Sequence, residues 1–281
     1  MHPILFQVGP VTVRWYGLMY VIAIIVGIFL TRYLVKRRRL AISLDDILDF
    51  VLITIPIAII FARLYYVAFQ WNSYYSLHPG DIYKIWQGGL AIHGGLIGGA
   101  LALWIFARWK KFSYWQFADM VVPAVILGQA LGRFGNFMNG DAYGTPTNLP
   151  WGLYFPAQSP AGMRYCPGTL SDTCQIPLHP TMLYELIGNL MIFGILWWLG
   201  RKRFRAGFLT SAYLILYSAL RFVVEIFRGD SLYYPGFWFI APDTLKAAQV
   251  ISVLLIVLFG AFIVARKLYR REQPSADQPA S

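Results

Sequence analysis

Residues 15–39 read WYGLMYVIAIIVGIFLTRYLVKRRR. About 20 apolar residues in a helix cross the hydrocarbon layer of a bilayer, and here such a run ends in Lys36, Arg37, Arg38 and Arg39. The segment therefore reads as a membrane-spanning helix stopped by a basic cluster. The rest of the 281 residues agree: 58% are hydrophobic, 17% aromatic and only 13% charged. So little polar surface cannot cover a soluble body, and soluble domains carry about 25% charged residues. Disordered, collagenous and disulfide-scaffold classes are excluded by the same numbers.

Seven stretches qualify as spans, near 13–35, 47–69, 89–108, 118–137, 181–200, 206–227 and 245–265. The expected fold is an all-α integral membrane protein with seven transmembrane helices, forming one polytopic domain over 1–271 and ending in a polar, disordered tail, 272–281. The first apolar run is long and lacks a basic leader or a small-residue cleavage site, so no removable signal peptide is expected. Net charge is +11. Sixteen Lys and Arg follow spans one, three, five and seven, whereas Arg14, Lys84, Arg164, Arg228 and Lys246 fall on the other side. The positive-inside rule then puts the N-terminus outside and the C-terminus in the cytoplasm. The short basic runs alternate with spans, which makes them orientation signals and contacts for anionic membrane lipids; no nucleic-acid partner is expected.

Residues 138–180, rich in Pro, Gly, Asn and Ser, read as an ordered extracytoplasmic cap without a core of its own. They hold the two cysteines, Cys166 and Cys174. A disulfide is permitted on that side. No nearby His or Lys is evident to activate either thiol.

An ionisable group inside a span is costly unless paired or wet, so each one needs a reason. In span six, Tyr217, Arg221, Glu225 and Arg228 fall within an arc of roughly 80° at about 100° per residue. They form either a self-contained ladder or a binding stripe. Span four ends in Gly132-Arg133-Phe134-Gly135-Asn136-Phe137-Met138-Asn139-Gly140-Asp141. Its glycines remove bulk beside Arg133, so a ligand or another backbone can come close. Span three opens His93-Gly94-Gly95-Leu96-Ile97-Gly98-Gly99, where the small residues read as close helix packing and His93 is left to explain. Arg63 in span two is a third cation or a structural one. His179 precedes Pro180 at the start of span five, and Tyr184 and Glu185 follow; Glu185 is a partner for an embedded arginine. Tyr16 belongs by default to the interfacial aromatic belt.

No zinc spacing, nucleophile elbow or nucleotide loop is present. Guanidinium forks match phosphate oxygens, so arginines in the outer halves of spans point to a phospholipid headgroup. An anion or lipid transporter, a scaffold with a structural ladder and an intramembrane protease are the rival classes. The first lacks inverted repeats, and the last lacks paired Asp, Ser-His or a metal motif.

The run Gly132–Gly144 resembles the signature G-R-x-G-N-F-x-N-G-E-x-x-G of the bacterial prolipoprotein diacylglyceryl transferases. Trp15–Tyr20, His93–Gly98, His179-Pro180-Thr181 with Tyr184-Glu185, and Tyr217 with Arg221 and Glu225 are similar to further family motifs, in order. One departure is Asp141, where the family usually has Glu. The resemblance implies a seven-span enzyme of the bacterial inner membrane, with its site toward the extracytoplasmic side. It would move the diacylglyceryl group of phosphatidylglycerol to the lipobox cysteine of a prolipoprotein signal peptide, forming a thioether and releasing glycerol-1-phosphate. No cofactor and no metal are called for. His93, Arg133 and Arg221 are the expected catalytic residues, with His93 either general base or headgroup ligand. Arg133, Asn136, Asn139, Asp141, Gly144, Tyr16, Tyr217 and Glu225 are expected to bind the lipid, Asn136 and Asn139 through its glycerol or ester oxygens. Arg63, Tyr184 and Glu185 are possible support.

Overall fold

The computed structural model describes residues 1–9, 11–231 and 246–271. Among the described residues, two short strands, β1 (Ile4–Val8) and β2 (Val11–Arg14), precede eight α-helices. These are α1 (Trp15–Arg37), α2 (Leu44–Phe69), α3 (Ile92–Trp109), α4 (Tyr114–Asn139), α5 (Pro160–Tyr165), α6 (Thr181–Gly200), α7 (Phe208–Phe227) and α8 (Ala247–Ala265). Six of them, α1, α2, α4, α6, α7 and α8, are long and apolar enough to cross a membrane. The chain is an α-helical membrane protein. Its helices keep large apolar side chains exposed, among them Phe29, Leu52, Leu254, Val257 and Val264, which is tolerable only against lipid.

The stretch expected as span three is the shorter helix α3, apolar over Gly94–Trp109. It starts at Ile92 rather than 89 because Gly88 and Gly89 take positive φ, +90° and +76°, which a right-handed helix cannot use. The tail 272–281 lies outside the described residues.

The chain divides into two compact units, Met1–Gly27 with Val121–Ser281, and Ile28–Met120. In the second, α3 lies on α2. A Cβ on Gly98 would meet Phe61 Cβ at 2.8 Å and Ile57 O at 2.9 Å, and one on Gly94 would run into the α2 backbone at Phe61 and Ala62. The small-residue packing reading holds for this pair. The approach does not require Gly95, whose Cβ would make ordinary contact with Ala58 O and Ala62 Cβ at 3.9 Å, or Gly99, which faces open space. Helix α2 begins with a capping box: Asp46 N donates to Ser43 Oγ (3.0 Å), and Ser43 N donates to Asp46 Oδ2 (2.9 Å).

In the first unit, β1 and β2 form an antiparallel hairpin turned at Gly9, a strand pair that span-finding passes over. Helix α7 packs between α6 and α8. Val122 and Ile126 of α4, Ile192 and Leu196 of α6, and Leu209, Ala212 and Tyr213 of α7 make one buried cluster.

The cap has a core, contrary to expectation. Ala142, Tyr143, Phe155, Ala161, Leu178 and Met182 are buried together. Composition hid this, because five apolar side chains scattered among Pro and Gly are brought together, and onto Met182 of α6, by bridges such as Leu153–Leu178 and Pro156–Thr173. Cys166 and Cys174 are joined in a disulfide.

Candidate active site

The polar residues of α4, α6 and α7 converge on one carboxylate. Glu185 lies in the second turn of α6 and is fully buried. Its Oε1 accepts from Arg221 Nη1 (2.8 Å) and Arg228 Nη1 (3.1 Å). Its Oε2 pairs with Arg133 Nη2 at 2.5 Å, in contact but without an aligned hydrogen bond. Glu225, also buried, takes Arg221 Nη2 at 2.7 Å and faces Arg228 Nε at 3.9 Å. The stripe read from α7 is therefore real, but it does not close on itself: Arg221 bridges Glu225 on its own helix to Glu185 on the next. Arg228 is held on its other side by Asp230, at 2.7 and 2.9 Å.

The carboxylates are sealed and the cations are not. Glu185 and Glu225 are 0% and 1% exposed, whereas the side chains of Arg133, Arg221 and Arg228 are 16%, 20% and 10% exposed. Buried acids survive in a low dielectric only when matched by charge and hydrogen bonds. Here three guanidiniums rest on two sealed acids and, at Arg228, on the part-exposed Asp230, so charge is balanced and the part-exposed arginines keep spare N–H donors.

A second carboxylate organises the end of α4. Arg133 Nη1 donates to Asn136 Oδ1 (3.2 Å). Asn136 and Asn139 each give an amide N–H to Asp141, at 2.6 and 2.7 Å. Asp141 thus holds both asparagines, and through Asn136 it sets Arg133. The shorter acid reaches both amides, so the departure from the family's Glu keeps a carboxylate function. Each asparagine gives one of its two amide N–H groups to Asp141.

The glycines of the signature divide. A Cβ on Gly135 would sit 2.6 Å from the Tyr16 ring, so this glycine admits α1, while Gly132 faces open space. Gly144 is a backbone fit: its N–H donates to His179 O (2.9 Å), and Thr145 N donates to Phe227 O (2.8 Å). A side chain there would collide with His179 and would lie 2.8 Å from Phe227 O. This stitch ties the cap to the start of α6 and the end of α7. Tyr217 stacks on Tyr213, with ring centroids 5.9 Å apart, and Tyr16 accepts from the Tyr20 hydroxyl (3.2 Å). Tyr184 takes Trp151 Nε1 (2.8 Å) and meets His179 Nδ1 (3.2 Å), anchoring the cap beside Glu185. Burial lowers the His179 pKa below the ordinary imidazole value.

Arg63 belongs to the other unit and is a structural cation. Its Nε donates to Ile82 O (2.7 Å), Nη1 to Gly88 O and Gly89 O (2.7 and 3.0 Å), and Nη2 to Asp81 O and Lys84 O (2.6 and 3.4 Å). The His93 side chain lies outside the described residues. Sequence reasoning underrated Glu185, placed among possible support although it is the hub. It also left Arg228 out of the candidate set, although the α7 stripe carries it on the same face. Asp230 gives no signal of its own.

A family model for prolipoprotein diacylglyceryl transferase matches residues 3–265. The chain is 44% identical to the phosphatidylglycerol–prolipoprotein diacylglyceryl transferase of Nostoc sp., over 98% of this chain and 92% of the relative. It is 44% identical to that of Trichormus variabilis (99% and 94% covered) and 43% identical to that of Geobacillus kaustophilus (94% and 92% covered). The chain belongs to the prolipoprotein diacylglyceryl transferase family.

Proposed function

We propose that this protein transfers the diacylglyceryl group of phosphatidylglycerol to the lipobox cysteine of a prolipoprotein, the first step of bacterial lipoprotein maturation. The observation that carries the reading is the cluster of three guanidiniums resting on two sealed carboxylates. A phosphodiester carries one negative charge, and its oxygens match guanidinium forks. As the thiol sulfur attacks the glyceryl carbon, a C–S bond forms and the C–O bond to phosphorus breaks. The bonding pair stays on the phosphate oxygen, so glycerol-1-phosphate leaves with a second developing charge. Preorganised donors in a dry site stabilise that charge more in the transition state than in the ground state. Arg133 and Arg221 take this role, Glu185 and Glu225 orient them, and Asp141 fixes Arg133 through Asn136. For the thiol proton, the family resemblance offers His93.

The helices fit a topology of seven crossings, with α3 the seventh, the N-terminus outside and the C-terminus in the cytoplasm. The membrane would be the bacterial inner membrane, with the cap and the cluster on its extracytoplasmic side. A disulfide in the cap suits that side.

The test is a reconstituted assay with purified protein, phosphatidylglycerol and a lipobox peptide, followed by mass spectrometry. A diacylglyceryl mass gain on the cysteine is expected, and its loss in folded Arg133→Ala and Arg221→Ala. No gain with the wild-type protein, while the lipid still binds, would overturn the transferase reading. His93→Gln separates the proton role from headgroup binding: loss of product with lipid binding retained supports the base.

A further inference from the structure

One turn beneath the ionic cluster, the structure carries two buried amides whose N–H donors have no acceptor. Gln129 precedes Arg133 by four residues on α4, and Asn189 follows Glu185 by four on α6. A further turn along the same helices, Ile126 and Ile192 meet Tyr213 in the apolar cluster. Gln129 and Asn189 thus occupy a polar step between the ionic cluster and the apolar core. Asn189 is fully buried, and neither its Nδ2 nor its Oδ1 has a hydrogen-bond partner. Gln129 accepts from the Tyr213 hydroxyl through Oε1 (3.2 Å), which fixes its orientation, and its buried Nε2 is left without an acceptor. Unpaired amides so deep are costly. Beside them Gly132 leaves open space against α4.

We propose that Gln129 and Asn189 are positioning residues that receive the ester carbonyl oxygens of the diacylglyceryl group. This rests on the transferase reading and deepens it. In a phospholipid the ester carbonyls lie a few covalent bonds from phosphorus, toward the acyl chains. That span is about one helical turn, 5.4 Å. With the phosphate on Arg133 and Arg221, the carbonyls fall at the level of the two free amide donors, and the acyl chains continue past the apolar layer. The asparagines at the cluster suit this contact less, because Asn136 and Asn139 lie on the far side of Arg133 from this step along α4 and each already holds Asp141. Holding the ester end fixes the glyceryl carbon relative to the phosphate clamp, which is what an in-line attack requires.

The experiment compares diester phosphatidylglycerol with its diether analogue, which keeps the phosphate and glycerol but lacks the carbonyls. Wild-type protein should prefer the diester in kcat/KM by at least about fivefold, since the diether leaves the amide donors unpaired. Asn189→Leu and Gln129→Met, near-isosteric changes, should slow the diester and spare the diether, bringing the ratio toward one. Tyr213→Phe, which frees Gln129 without removing an amide, gives the same direction in a milder form and serves if the other variants do not fold. Equal use of both lipids by the wild-type protein overturns the proposal. So does an unchanged ratio in the variants, as expected if the step holds only water. Failure of the wild-type protein to convert the diester at all would instead defeat the transferase reading.

Discussion

Two arginines set in apolar helices, Arg63 on α2 and Arg133 on α4, meet the same electrostatic problem in opposite ways. Arg63 is 6% exposed and gives its donors to five backbone carbonyls between Asp81 and Gly89. Carbonyls satisfy the guanidinium without cancelling its charge, and they leave no donor for a guest. Arg133 gives one edge to Glu185 and another to Asn136, and it stays 16% exposed. The first arrangement is a clasp on a loop. The second keeps donors for a guest, as the proposed phosphate clamp requires. Burial alone does not separate an intramembrane structural cation from a functional one; the inventory of its donors does.

The largest effect should come from the hub. Glu185→Gln keeps the shape but takes the charge from the acid that Arg133 pairs with, and leaves Arg221 and Arg228 to Glu225 and Asp230. Breaking a buried ion pair typically costs about 3–5 kcal/mol, and a loss of that order is expected in unfolding of the detergent-solubilised protein, together with loss of activity. A variant as stable as wild type would show that the cluster is far wetter than its geometry implies.

The contrast itself is tested by paired lysine substitutions. Arg133→Lys keeps charge and loses the fork, so activity should fall about 100- to 1,000-fold with folding retained. Arg63→Lys should lower stability by about 2–3 kcal/mol, because three ammonium donors cannot serve five carbonyls. Equal effects of the two substitutions on both readouts would erase the distinction.

What was legible in the sequence follows the same division. The spans are local, since hydrophobic length needs no partner, and the Tyr217–Arg221–Glu225–Arg228 stripe is local because helical spacing puts the four on one face. The pairing of Cys166 with Cys174 was open, because proximity in sequence does not set the geometry of the loop between them. That Glu185 partners an embedded arginine was legible from its place in a span, but that it gathers three was not, because the cluster arises where three helices meet. Arg63 was ambiguous for the same reason: its partners are carbonyls, which every residue has. The cap core escaped because Phe155 and Leu178 have no periodic context, and the β1–β2 hairpin because a long span begins directly after it.

Gly89→Ala probes the clasp from the loop side. Its φ is +76°, and an added Cβ would lie 2.7 Å from Tyr66 Cε1 and overlap the Arg63 guanidinium. Strain and displacement together should cost about 1–3 kcal/mol, with hydrogen exchange rising across residues 79–91. Gly132→Ala, which faces open space, should leave stability nearly unchanged and act on lipid turnover alone.

The smallest effects are titrations, and they distinguish the same two regions by pH window. Burial depresses the His179 pKa below its ordinary 6.5. The unfolded chain then binds the proton more readily, so stability falls as pH drops below about 6.5 and levels off under the folded value. Asp81, on the loop that Arg63 clasps, is held below its ordinary 3.8 by hydrogen bonds from Lys84 and Tyr74. Its contribution is complete above 3.8 and is lost only as pH falls through the lower folded value. Melting curves between pH 8 and 5 should therefore shift through His179 and not through Asp81. His179→Asn should flatten that limb, whereas Asp81→Asn should lower stability by a similar small amount at every pH in the range. A limb that survives in His179→Asn would assign it to another group.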